Sequence, residues 1–120
     1  MSRTVLVVED DEDVRETLRD VIRDEGYETI GAANGQEALA LLKDGVPQLI
    51  LLDLMMPVMD GWQLLTKLRS DPRYAKLPIL VMSASGDAQS SLPPAQPFMR
   101  KPLSLGGLMG RIHELCDRAS

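Results

Sequence analysis

The stretch LILLDLMMPVMDG, residues 49–61, runs four aliphatic residues straight into an aspartate, Asp53, and then into a proline and a turn. A short run of branched apolar residues is the pattern of a strand buried on both faces, as in a parallel sheet covered by helices. Asp53 then stands at the carboxyl end of that strand, where open parallel sheets bind their ligands.

Working outward, TVLVVE (4–9) and PILVMS (78–83) repeat the apolar run, YETIGAA (27–33) alternates as an edge strand would, and PFM (97–99) is a short fifth candidate. Amphipathic segments separate them. Val14, Leu18, Val21 and Ile22 give the first helix a core stripe, and its arginines and acids predict a solvated remainder. A second helix begins near Asn34 as N-cap, buries Ala38, Leu41 and Leu42, and ends at Gly45. A third follows Gly61, burying Leu64, Leu65 and Leu68, and stops near Pro72. The last carries Leu105, Leu108, Met109, Ile112, Leu115 and Cys116 as its stripe, and its Gly106, Gly107 and Gly110, at roughly 1 kcal/mol each relative to alanine, predict a soft start. Strand and helix in alternation predict an α/β fold with helices on both faces of a parallel sheet. The segment SGDAQSSLPPAQP (85–97) breaks the pattern, because its prolines oppose a long helix where the alternation requires one.

With 120 residues, 44% hydrophobic and 26% charged, the chain fits one domain spanning residues 1–120. The net charge of -5 argues against an electrostatic grip on nucleic acid or on an anionic membrane. A single cysteine, Cys116, excludes an intrachain disulfide, and the opening MSRTVLVVED lacks the pattern of a signal peptide or membrane span, so a soluble cytoplasmic protein is expected. His113 reads as a surface histidine rather than a metal ligand.

Glu9 and Asp10 close the first strand as Asp53 closes the third. If these strands are neighbours, three carboxylates converge and need a cation, and an all-oxygen set suits a hard divalent ion, Mg2+. Asp11, Glu12 and Asp13 read instead as the cap and dipole partners of the first helix. Ser83 ends the fourth strand with a hydroxyl, and Lys101 follows the fifth with an ammonium. A nucleophile, a metal site, a hydroxyl donor and a point charge are together what a phosphoryl group requires.

In VLVVEDDEDVRETL, LILLDLMMPVMDG, PILVMSA and FMRKP, taken in order, the chain resembles a response regulator receiver domain of bacterial two-component signalling over essentially its full length. The resemblance implies a flavodoxin-like, doubly wound sheet of five parallel strands in the order 2-1-3-4-5. It implies Asp53 as phosphoacceptor, and Mg2+ held by Glu9, Asp10, Asp53 and the Met55 backbone carbonyl. Ser83 and Lys101 would bind the phosphoryl group, Ser83 and Phe98 would form the switch, and a cis peptide would join Lys101 to Pro102. The donor would be a histidine kinase or histidine phosphotransfer protein. The chain would act as a phosphoacceptor with self-phosphotransfer and self-dephosphorylation only, and not as an enzyme on free substrates.

From Ser83 to Lys101 the chain is a few residues shorter than such domains usually are, so the helix between the fourth and fifth strands is expected to be shortened or absent. Because that helix belongs to the family's usual output face, readout through a loop and a monomer rather than the usual dimer are expected. An alternative is a receiver-like interaction domain independent of phosphorylation. An aspartate-nucleophile phosphatase fits less well, because Met55 stands where such enzymes carry a second aspartate.

Overall fold

A computed structural model describes residues 3–56, 58–93 and 95–119. The strands are β1 (Thr4–Val8), β2 (Glu28–Ala32), β3 (Leu49–Asp53), β4 (Ile79–Ser83) and β5 (Phe98–Arg100), all parallel in one sheet of order β2-β1-β3-β4-β5. The helices are α1 (Glu12–Asp24), α2 (Gly35–Leu42), α3 (Gly61–Arg69) and α4 (Leu105–Ala119). This is the flavodoxin-like order, and it leaves β2 and β5 at the edges.

Strand alternation divides the core. Val5, Val7, Leu49, Leu51, Leu80 and Met82 pack with Leu18 and Ile22 of α1 and with Leu108 and Ile112 of α4. Leu6, Val8, Ile50, Leu52, Ile79 and Val81 pack on the other face with Ala38 and Leu42 of α2 and with Leu64 and Leu68 of α3. Each helix begins where a short polar side chain takes up a free amide: Asp11 accepts from Val14, Asn34 from Glu37, Ser104 from Gly107, and Asp60 forms a capping box with Gln63. The β4–β5 crossover is a 3-10 helix, Gly86–Ser91, that ends before Leu92 and Pro93, as the proline content requires. Pro94, on which part of that expectation falls, lies outside the described residues.

Several details differ from the sequence reading. Val14 and Leu105, assigned to core stripes, are 38% and 52% exposed, because each lies in the first turn of its helix, at the carboxyl-end rim of the strands. Leu41 is only partly buried, and α2 stops at Leu42 rather than running to Gly45. Arg15 and Arg19 are not solvated: both cross β2, and Arg19 donates to the hydroxyl and carbonyl of Thr29. His113 is not a free surface ring. The Tyr27 hydroxyl meets its Nδ1 at 2.7 Å and Glu25 faces its Nε2 at 3.5 Å, tying α4 to the α1–β2 turn.

Candidate functional site

Register builds the site. Val5 pairs with Leu49 and Val7 with Leu51, so two residues further on Glu9 stands across from Asp53. Met82 pairs with both Asp53 and Met99, and Lys101 lies two residues beyond Met99. Side chains repeat every two residues, so Glu9, Asp53 and Lys101 all fall on the α1–α4 side of the sheet. Asp10 follows Glu9 at the rim.

Carboxylate oxygens of Glu9, Asp10 and Asp53 all lie within 4.8 Å of one another. Glu9 and Asp53 are 2% and 4% exposed, whereas Asp10 is open to solvent. Lys101 Nζ reaches Glu9 Oε1 at 2.8 Å and Asp53 Oδ2 at 3.4 Å. The Met55 amide donates to Asp53 Oδ1 at 3.2 Å, which places that peptide beside the cluster, and the Asp11 amide faces Glu9 Oε2 at 3.5 Å. Ser83 is fully buried, and its Oγ accepts from the Ser85 amide at 3.1 Å. No hydrogen bond joins it to Asp53 among the described residues. Phe98 pairs with Val81 in the sheet and packs, partly buried, against the α2–α3 side of the core. The Lys101–Pro102 peptide is cis. Beside Lys101 a cavity of about 540 Å³ opens between α1 and α4, lined by Val14, Leu18, Met82, Leu103 and Leu105 among others.

One ammonium does not balance three carboxylates. Burial, and then the hydrogen bond and charge of Asp53, raise the pKa of Glu9 against the pull of Lys101. Burial and the neighbouring Glu9 likewise raise Asp10. Burial opposes the charge on Lys101, but the two carboxylates outweigh it and its pKa is raised. An all-oxygen donor set with surplus negative charge and one open side fits a hard divalent cation that retains water, so Glu9, Asp10 and Asp53 could hold Mg2+.

The charge surplus has a sign that can be measured. A carboxyl raised in the folded state contributes stability below its unfolded pKa and loses it as pH rises through the folded value. Without metal, ionised Asp10 therefore burdens the fold at neutral pH. Lys101, raised above the ordinary lysine value, leaves the acid window unaffected. Asp10→Ala should stabilise the metal-free protein at pH 7 by about 1 kcal/mol or less, since water screens this exposed group. Its Mg2+ affinity should fall by about 100-fold or more, beyond what loss of an outer partner brings. Thermal melts from pH 7 down through the carboxylate range, with and without Mg2+, check both: the gap between variant and parent should close on acidification.

Arg15 was missed in the sequence as a contributor to the site: its Nη1 donates to the Glu9 carbonyl at 3.0 Å. Its spacing on α1 gave no signal, because the same position suits a solvated arginine.

The family described as response regulator receiver domain matches residues 5–113. The response regulator MprA of a Mycobacterium species is 37% identical over 97% of this chain and 51% of its own length. The phosphate regulon transcriptional regulatory protein PhoB of Pseudomonas aeruginosa is 31% identical over 98% of this chain and 53% of its own. The chain thus spans about half the length of these two curated regulators. Among solved structures, the signal receiver domain of a histidine kinase from Syntrophus aciditrophicus superposes with a TM-score of 0.90 at 29% identity, covering 98% of this chain and 92% of that one.

Proposed function

Because this chain belongs to the response regulator receiver domain family, we propose that it is the phosphoacceptor of a two-component or phosphorelay system, with Asp53 as the residue that takes the phosphoryl group. One observation carries the reading: Asp53 is buried at a strand end, with Glu9, Asp10 and Lys101 all directed at it.

In that reading a carboxylate oxygen of Asp53 attacks phosphorus, the P–N bond of a partner's phosphohistidine breaks, and the imidazole nitrogen keeps the electron pair. Lys101 exchanges part of its pairing with Glu9 and Asp53 for a phosphoryl oxygen. Ser83, whose Oγ accepts from the Ser85 amide, turns its hydroxyl hydrogen toward the same group, and its movement frees space for Phe98 one strand over. Glu9, Asp10, Asp53 and the Met55 carbonyl would hold Mg2+, which when bound would supply neutralising charge to the phosphoryl oxygens. The acyl phosphate later yields to water, so the domain turns over on itself alone.

The donor is a histidine kinase or a phosphotransfer protein, and the apolar cavity beside Lys101, flanked by exposed Val14 and Leu105, suits its docking. Readout passes through the 3-10 segment Gly86–Ser91 rather than a full helix face, which favours a monomer. Among the described residues no helix is long and apolar enough to cross a membrane.

Incubation with acetyl phosphate, followed by intact mass, tests the reading. A phosphoryl mass gain is expected with Mg2+, absent with a chelator and reversed by hydroxylamine. A gain that is indifferent to Mg2+ and stable to hydroxylamine would refute it.

A further inference from the structure

The backbone of Glu9 is held from two sides. On one side the Glu9 amide donates to the Ala32 carbonyl of β2 at 3.0 Å. On the other, Arg15 Nη1 of α1 donates to the Glu9 carbonyl at 3.0 Å. The two bonds hold the two peptide planes that flank Glu9, and with them its φ and ψ and the direction of its side chain, and the second plane also carries the Cα from which Asp10 leaves the backbone. The Arg15 side chain is only 17% exposed, and it reaches the carbonyl by lying flat across β2 at Gly31. A Cβ there would stand 3.1 Å from Arg15 Cδ and 3.4 Å from its Nε. Gly31 is therefore the gap through which the arginine passes.

We propose that Arg15 is a positioning residue for the Glu9–Asp10 carboxylate pair, and that Gly31, out on the edge strand, is the spacer that lets it act. The proposal rests on the reading of the acidic cluster as a Mg2+ site. Position and charge predict opposite results, which makes it decidable. Removing a cation near a cation site strengthens metal binding if only the field matters, although the 3.8 Å approach of Arg15 Nε to Glu16 already offsets part of that charge. Removing a clamp weakens it.

Arg19 supplies the control. It crosses the same glycine, with its Cδ 3.2 Å from the position of a Gly31 Cβ, but donates to Thr29 rather than to the site.

Mg2+ affinity is measured by calorimetry and by the Asp10 and Met55 amide shifts in the parent and in Arg15→Met, Gly31→Val, their double variant, Arg19→Met and Asp10→Ala, with thermal melts on each. Arg15→Met should bind Mg2+ about 10- to 100-fold more weakly, the range for loss of a partner behind a metal ligand. Gly31→Val keeps every charge and should weaken binding in the same direction. The double variant should be no weaker than Arg15→Met alone, since both act through one contact. Arg19→Met should bind as the parent does. The Asp10 amide should also shift in metal-free Arg15→Met. Unchanged or tighter binding in Arg15→Met, while Asp10→Ala loses the ion, overturns the positioning role alone. Parent-like binding in Asp10→Ala removes the metal site and the proposal with it. If Arg15→Met fails to fold, Gly31→Val decides, and parent affinity there overturns the proposal.

Discussion

Asp53→Asn is expected to take up no phosphoryl group from acetyl phosphate at any Mg2+ concentration, while folding as well as the parent. The two side chains have nearly the same shape, so the buried position still packs, but an amide nitrogen bears no free charge and is not a nucleophile. The Met55 amide that donates to Asp53 Oδ1 at 3.2 Å can still donate to the asparagine carbonyl oxygen. Lys101 loses its 3.4 Å contact to Asp53 but keeps Glu9 at 2.8 Å. One like charge fewer faces Glu9, so the metal-free melting temperature should not fall. Intact mass and a thermal melt on the same sample separate loss of chemistry from loss of fold, and a parent-like mass gain would move the acceptor elsewhere.

The second large effect is structural. A Cβ added at Gly61 would stand 2.6 Å from Leu54 Cα and closer still to the Asp53 carbonyl oxygen. Both obstacles are backbone at the end of β3, and the Gly61 amide is bonded to the Leu54 carbonyl at 3.0 Å, so nothing can give way without moving the site. Gly61→Ala should cost about 3 kcal/mol or more, the upper end of overpacking. That is a large share of a total stability of about 5–15 kcal/mol. Gly110 is the contrast: open space surrounds its would-be Cβ, and Gly110→Ala should stabilise α4 by about 1 kcal/mol. Denaturant midpoints for the two variants should move in opposite directions.

What the sequence could reveal follows from the range of each interaction. The strands were legible because runs such as LILL are buried on both faces and carry their own signature. Asp53 was legible because a charge directly after such a run has few reasons to be there. The short crossover was legible because prolines act on their own backbone and the residue before it: the 3-10 segment ends at Ser91, and Leu92, the residue before Pro93, is extended. Arg15 and Arg19 were not, since helix periodicity says which residues share a face but not that a neighbouring strand offers a glycine for a side chain to cross. The pairing of His113 was not legible for the same reason, its partner Tyr27 lying 86 residues away. Val58 adopts a φ of 67°, unusual for a β-branched residue, and no local pattern announced that the β3–α3 loop would require it. Asp10 and Met55 were placed by family likeness and acidic clustering. The distance of Asp10 to Asp53 came only from the register between β1 and β3, and that of Met55 from the turn that follows Asp53.

The central claim is that one buried aspartate carries the phosphoryl group, and reductive trapping tests it most directly. Borohydride reduces an acyl phosphate to the alcohol and marks the carboxylate that bore it, so the phosphorylated protein is trapped, digested and its peptides sequenced by mass spectrometry. The mark should fall on Asp53 alone, in samples treated with both acetyl phosphate and Mg2+. A mark on Glu9, Asp10 or any residue outside the cluster, with Asp53 unmodified, would contradict the account.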